Sequence, residues 1–278
     1  MRVEILAAVV ILLAGWGLPA RALELDGPLI QGGVVVGHVQ PGAEVRFDGR
    51  RVSVSDEGLF VIGFDRDAPG SMPLKVDPPD GAAYTRVLRI DARDYDIQRI
   101  DGLPPKTVSP SGEALERIRR EAAMVRRARR RDDPRTDFVT DWVWPAVGPI
   151  TGVYGSQRIL NGKPRRPHYG WDIAVPKGRP VRAPAAGVVT LADGDMLLSG
   201  GTLILDHGHG LSSAFLHLSR ILVKVGQRVQ EGDIIAETGA SGRASGAHLD
   251  WRMNWFDSRV DPRTLVGPMP EAAAAAGQ

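Results

Sequence analysis

Cysteine is missing from all 278 residues of the chain. Its absence excludes disulfide bonds, a thiolate nucleophile, cysteine-ligated zinc and a lipid-modified cysteine behind an export signal. It says little about the redox compartment, because a chain without cysteine is tolerated in either environment. Any metal site in the chain must therefore use histidine, aspartate or glutamate.

Aromatic residues and excess charge of one sign are also scarce. Aromatic residues make up 6% of the chain, and 35 lysines and arginines nearly balance 33 aspartates and glutamates. The formal net charge of +2 gives no indication of nucleic-acid binding. A hydrophobic content of 43% is typical of a folded protein, and the length allows two domains.

The N-terminus carries an apolar run that is short for a membrane span. It extends from Ile5 to Leu18, whereas a spanning helix needs about 20 residues. Arg2 precedes the run, and Ala20-Arg21-Ala22 follows it as a small-x-small cleavage pattern. We predict a signal peptide over residues 1–22, export to the periplasm or cell envelope, and no integral membrane span after cleavage. A retained anchor is the alternative.

Short β-type runs separated by turn residues characterise residues 23–100. Asp48-Gly49 and Asp56-Glu57-Gly58 are turn signals between runs such as Arg51-Val52-Ser53-Val54. This pattern predicts a small antiparallel β-sandwich. No cluster of reactive side chains occurs in the segment, so we interpret it as a targeting, partner-binding or groove-covering module.

A linker is predicted over residues 101–141. Proline and serine mark its beginning, and a charged helix is expected from Glu113 to about Arg131, with an apolar stripe that includes Leu115 and Val125. Two interpretations stand for its arginines: attraction to an anionic surface, or a solvated helix face. The arginines are Arg126, Arg127, Arg129, Arg130 and Arg131.

Glycine-punctuated β runs return over residues 142–266, which predicts a second all-β domain followed by a disordered tail over 267–278. Within it, His168 and Asp172 stand at the entry to a strand, where both can reach one ion. In His248-Leu249-Asp250 alternate side chains of a strand point to the same side. Imidazole and carboxylate groups are ordinary zinc ligands.

These residues belong to a longer series of motifs in a fixed order. The series resembles the lysostaphin/LytM family of zinc endopeptidases from about Pro145 to Leu265. Its parts are His168-x-x-x-Asp172, Val181–Val189, Leu205–Leu211, His217-Leu218, Val225–Ile235 and Gly239–Asp250.

The resemblance implies a role for each matching residue. His168 and Asp172 would be zinc ligands, and His217 and His248 would be active-site histidines that orient water and stabilise charge on the scissile carbonyl. The family's third ligand is the second histidine of a His-x-His pair, and Asp250 stands there in this chain. Because a second carboxylate offsets more of the ion's charge, we expect zinc held in this way to be a weaker Lewis acid.

The resemblance further implies a zinc-dependent endopeptidase that hydrolyses peptidoglycan peptides. The alternative is a non-catalytic LytM-like module that binds peptidoglycan or activates a separate cell-wall amidase. The N-terminal domain could then contact a cell-wall enzyme or a division protein. His207 and His209 lie in a glycine-rich turn, and we place them outside the site.

Overall fold

The computed structural model describes residues 23–100 and 112–271. The predicted signal peptide, the first part of the predicted linker (101–111) and the end of the predicted tail (272–278) lie outside the described residues. Within the described ranges the chain is mostly β-strand with one α-helix, which confirms the predicted fold class. No helix in these ranges has both the length and the apolar character needed to cross a membrane.

The N-terminal region folds into two antiparallel sheets. Its strands are β1 (Glu24–Asp26), β2 (Val34–His38), β3 (Glu44–Phe47), β4 (Arg50–Val52), β5 (Leu59–Gly63), β6 (Ser71–Asp77), β7 (Tyr84–Arg89) and β8 (Ile97–Ile100). One sheet has the order β1-β2-β5 and the other β4-β3-β6-β7. In β3 the side chains of Val45 and Phe47 are buried while those of Glu44 and Arg46 are exposed, as expected when one face of a sheet covers a core.

Helix α1 (Gly112–Arg129) follows and ends two residues before the expected end at Arg131. Its C-terminal half packs on the next domain: Val125 and Ala128 join an apolar cluster with Ile204, Ala214 and others. The predicted stripe is only partly buried, because Leu115 at the other end of the helix is 39% exposed. The helix is therefore part of the second domain rather than a free linker.

The second domain is built around one large antiparallel sheet. Its elements are β9 (Ile150–Gly152), β10 (Gln157–Leu160), β11 (Lys163–Pro164), β12 (Gly170–Ile173), β13 (Pro180–Arg182), β14 (Gly187–Met196), β15 (Gly200–Asp206), β16 (Leu211–Leu218), β17 (Arg220–Ile221), β18 (Arg228–Val229), β19 (Ile234–Glu237), β20 (Leu249–Trp255), β21 (Ser258–Val260) and a 3-10 helix (Pro262–Thr264). The sheet order is β18-β14-β15-β16-β20-β12-β9, with β21 on β20, and β13-β19-β17 form a smaller sheet.

Strand register shows which side chains share a face of this sheet with helix α1. Leu216 and Ala214 of β16 lie opposite Asp250 and Arg252 of β20, and directly opposed residues share a face. Leu216 and Ala214 also contact the helix through the apolar cluster around Ala128. The helix therefore lies on the same face of the sheet as Asp250 and Arg252, where it contacts β14 and β15.

The two domains share one continuous apolar core and a further strand pairing. Phe47 and Trp255 meet with ring centroids 5.8 Å apart. A Cβ added to Gly63 would lie 2.7 Å from Val260 Cγ1, so the backbones approach closely there. Strand β8 pairs in parallel with β10 of the second domain, a connection that the sequence did not predict.

Asp206 and His207 lie at the end of β15, and both are buried. Their protonation changes the stability of the fold in opposite directions. Burial lowers the pKa of His207 to about 4, although its bond to the Ala186 carbonyl raises it. Burial raises the pKa of Asp206 to about 6, although the charge of Arg135 lowers it. As pH falls from 6.5 to 4, only the unfolded chain protonates His207, which destabilises the fold. As pH falls from 6 to 3.8, the folded chain protonates Asp206 first, which stabilises it.

We predict that His207→Gln removes the destabilisation that His207 causes as the pH falls. Between pH 6.5 and pH 4 the free energy of unfolding of the variant should rise by about 3 kcal/mol relative to wild type. Urea unfolding followed by tryptophan fluorescence at pH 6.5, 5 and 4 measures this. His38→Gln, at a partly exposed histidine, is the control. An identical pH dependence of unfolding in His207→Gln and wild type would contradict the lowered pKa of His207.

Candidate metal centre

Three potential metal ligands meet where β12 pairs with β20. Asp172 and Asp250 are direct cross-strand partners, so their side chains share a face. His168 lies two residues before β12. One ligand atom from each of the three residues lies within 4.8 Å of the other two. The structure brings together the three residues that the sequence predicted as metal ligands.

Two of these ligand atoms lack hydrogen-bond partners. His168 Nε2 and Asp172 Oδ1 lie 3.2 Å apart. Both are buried, and neither forms a hydrogen bond with any described residue. Buried polar atoms are nearly always paired, so two unpaired ligand atoms side by side are typical of a metal site.

Asp250 is held by a neighbour on its own strand. The residue is 1% exposed, and Arg252 Nε donates to its two carboxylate oxygens at 2.9 and 3.0 Å while Arg252 Nη2 donates to Oδ2. The cross-strand partner of Arg252 is Gly170. A Cβ on Gly170 would lie 2.5 Å from Asp250 Oδ1 and 2.6 Å from Arg252 Cγ, so the ion pair requires glycine there.

Arg252 is compatible with a metal ligand at Asp250 and changes the charge of the site. Each carboxylate oxygen has two acceptor positions. Oδ2 of Asp250 accepts two bonds from Arg252 and Oδ1 accepts one, so Oδ1 keeps a free position for a metal. Two carboxylates and one guanidinium leave a single net negative charge, as one aspartate with two neutral histidines would. The expectation of a weaker Lewis acid stays a prediction, and the positive charge of Arg252 acts against it. The donor set fits zinc.

His217 and His248 stand beside the three ligands. Their ring centroids are 4.8 Å apart, and His248 Nε2 lies 3.8 Å from Asp172 Oδ1. Nδ1 of His217 donates to the Ser241 carbonyl at 2.8 Å, and Nδ1 of His248 donates to the Gly246 carbonyl at 2.9 Å. A carbonyl oxygen can only accept, so the proton of each neutral ring sits on Nδ1 and leaves Nε2 as the acceptor.

The backbone at His217 departs from the regular strand that its alternating neighbours predicted. Its φ is 64°, in the left-handed region that few residues other than glycine adopt. The pairing of β15 with β16 is also irregular near this position, between Gly201 and Leu203. Burial lowers the pKa of His217 below its ordinary value, although the bond to the Ser241 carbonyl raises it. A neutral imidazole is therefore favoured here at neutral pH.

His207 and His209 lie away from these ligands and make contacts of a structural kind. His207 Nε2 contacts Ser213 Oγ at 2.8 Å, and its ring packs against Trp142. His209 packs against Phe138. Neither is among the grouped metal-ligand atoms.

Comparison with known proteins includes a match that extends over most of the chain. A crystal structure of a Pseudomonas aeruginosa protein assigned to peptidase M23 superposes with a TM-score of 0.69 and 33% identity, and the match covers 87% of this chain and 96% of that one. The sequence profile of peptidase family M23 matches residues 166–262, which include all five residues described above.

Curated relatives match shorter stretches of the chain. Peptidoglycan DD-endopeptidase ShyA of Vibrio cholerae is 39% identical over 87 residues, or 31% of this chain and 20% of that protein. Lipoprotein NlpD/LppB homolog of Pseudomonas aeruginosa is 38% identical over 104 residues, or 37% of this chain and 33% of that protein. The match thus spans about a fifth to a third of these relatives' length.

We predict strong energetic coupling between Asp250 and Arg252. Asp250→Asn should lower the free energy of unfolding by about 3 kcal/mol, because it leaves a guanidinium group without its counter-charge in a largely buried position. The double variant with Arg252→Gln should lose at least about 1 kcal/mol less than the sum of the single losses. Urea unfolding with a chelator present measures this cycle.

A matched cycle on the exposed pair Glu44 and Arg51 serves as the control. Coupling there should stay below about 1 kcal/mol. If the cycle on Asp250 and Arg252 showed no more coupling than this surface pair, the predicted strong coupling of the buried ion pair would be wrong.

Proposed function

The chain belongs to peptidase family M23, and on that basis we propose that it is a zinc-dependent endopeptidase that hydrolyses peptide bonds of cell-wall peptidoglycan. The observation that carries the proposal is the pair of buried atoms without hydrogen-bond partners, His168 Nε2 and Asp172 Oδ1, beside the Asp250 carboxylate. The relative named peptidoglycan DD-endopeptidase supports the substrate class.

The residues divide into ligands and proton-handling groups. His168, Asp172 and Asp250 would hold zinc, which supplies a Lewis acid for the scissile carbonyl and acidifies water. His217 and His248 each present Nε2 to the site because Nδ1 is bonded to the backbone. One Nε2 can take a proton from water while the other, once protonated, donates to the carbonyl oxygen or the leaving amine.

The second candidate is a non-catalytic module that binds peptidoglycan or activates a separate amidase. One specific observation favours it: Arg252 already bonds both oxygens of Asp250, so this carboxylate is stabilised without any metal. The similarity to a lipoprotein of the NlpD/LppB type is compatible with it. In this case His217 and His248 would have no chemical task.

Both candidates need the protein outside the cytoplasm. We propose that the predicted signal peptide directs it to the periplasm or cell envelope, where peptidoglycan is accessible. The N-terminal sheets then act as a targeting or partner-binding module. Their close packing against β20 and β21 keeps that module in a defined position beside the site.

The decisive experiment measures metal content and peptide release from purified peptidoglycan with the exported form of the chain. Wild type should hold about one zinc per chain and release peptides, and chelation should stop release until zinc is restored. His217→Ala and His248→Ala should each lower the rate by at least about 100-fold, while His168→Ala should lose the zinc. His38→Ala, at a partly exposed histidine of the N-terminal domain, should change neither quantity.

The second candidate predicts the opposite pattern. Wild type would hold no zinc and release nothing, yet would bind peptidoglycan or stimulate an amidase. Zinc binding and turnover that survive His248→Ala unchanged would contradict the role given to this histidine.

A further inference from the structure

Three arginines converge beside the candidate metal centre, around the strand position opposite Arg252. Gly170 lies directly across from Arg252, and Tyr169 is its chain neighbour. The guanidinium carbons of Arg166 and Arg259 lie 5.6 and 5.5 Å from the centroid of the Tyr169 ring. Arg166 and Arg259 therefore lie against one ring, next to the strand position that faces Arg252.

Helix α1 adds Arg129 to this group. Ala128 packs in the same apolar cluster as Ala214, and Ala214 is the cross-strand partner of Arg252. Arg129 follows Ala128 at the last position of the helix. Its Nε is buried and has no hydrogen-bond partner among the described residues. The sequence allowed two interpretations for the arginines of this helix, attraction to an anionic surface or a solvated face. Arg129 is instead directed into the protein.

The four guanidinium groups have few counter-charges. Arg252 is paired with Asp250, but Arg129, Arg166 and Arg259 form no ion pair with a carboxylate in residues 23–100 and 112–271. Burial lowers the pKa of Arg129 well below its ordinary value, and the charges of Arg259, Arg252 and Arg166 lower it further. Burial and the charges of Arg166 and Arg252 lower the pKa of Arg259 to about 10.

Two acidic residues lie near the group without neutralising it. Asp257 attracts Arg129, and Asp65 attracts Arg259. Asp65 accepts a hydrogen bond from the backbone N–H of Arg259 at 3.0 Å, so its bond is made to the chain rather than to the guanidinium. Concentrated positive charge of this kind destabilises the folded chain and favours a bound anion.

We propose that Arg129, Arg166 and Arg259, with the guanidinium of Arg252, form a subsite that binds a carboxylate of the peptide substrate beside the bond to be cleaved. The inference rests on the proposed function for the identity of the ligand. Arg252 and Asp250 are two residues apart on β20, which corresponds to about 7 Å along a strand. A carboxylate bound here would therefore lie about two peptide residues from the scissile bond. Guanidinium groups match carboxylates through paired, charge-assisted hydrogen bonds.

Calorimetric binding of two probes to the full chain tests the subsite. One probe is a soluble peptidoglycan stem tetrapeptide with free carboxylates, and the other is the same peptide with its carboxylates amidated. A chelator is present, so that neither metal binding nor turnover contributes. Wild type should bind the carboxylate form at least about 10-fold more tightly than the amide. Arg129→Gln and Arg259→Gln should each remove most of this preference.

Arg126→Gln is the matched control, because it removes the same charge from an exposed position of the same helix. It should keep the full preference. Equal binding of both peptides by wild type, or an equal loss in Arg126→Gln and Arg129→Gln, would overturn the proposal. Inorganic phosphate is the second competitor: Arg129-dependent phosphate binding that the carboxylate peptide cannot displace would assign the site to a phosphate group and overturn it as well.

These outcomes are separate from the test of hydrolysis. Carboxylate-dependent binding in a protein that holds no zinc and releases no peptides would refute the peptidase and leave the subsite standing. Peptide release without a preference for the carboxylate peptide would support the peptidase and refute the subsite.

Discussion

A carboxylate buried on a β-strand needs a counter-charge, and the ion pair of Asp250 with Arg252 is the interaction on which the site depends. The two residues are adjacent on one face of β20, and Gly170 on the opposing strand leaves the space that they occupy. With Arg252 in place, Asp250 can lie beside Asp172 without bringing two uncompensated negative charges together. The pair thus permits an aspartate at position 250, where the resemblance in the sequence motifs implies a histidine.

This arrangement explains why a single exchange at Asp250 would not recreate the usual ligand set. Asp250→His would supply a neutral imidazole but leave Arg252 without its partner in a largely buried position. Aspartate and arginine therefore form one unit in this site. Around it, the C-terminal end of helix α1 contributes a further guanidinium group, that of Arg129.

Much of the site follows from local sequence patterns. Strand alternation correctly placed His248 and Asp250 toward the same site, and the His168-x-x-x-Asp172 spacing at a strand entry brought both residues to one point. Arg252 could have been recognised by the same alternation, because it is two residues beyond Asp250 and shares its face. The sequence prediction omitted Arg252 because a guanidinium group is not a metal ligand.

Other features depend on contacts between distant segments, which local patterns do not encode. The parallel pairing of β8 with β10 joins the two domains. The left-handed backbone of His217 breaks an otherwise regular alternation. The inward direction of Arg129 follows from which side of α1 packs on Ala214 and Leu216, whereas the sequence shows only a run of similar arginines.

Anomalous diffraction at the zinc edge, from crystals of the chain grown with zinc, shows whether these three residues bind zinc. We expect one peak at about 2.0–2.2 Å from His168 Nε2 and from one oxygen each of Asp172 and Asp250, with Arg252 still bonded to Asp250. An absent peak, or a bound ion with Arg252 displaced from Asp250, would contradict this expectation.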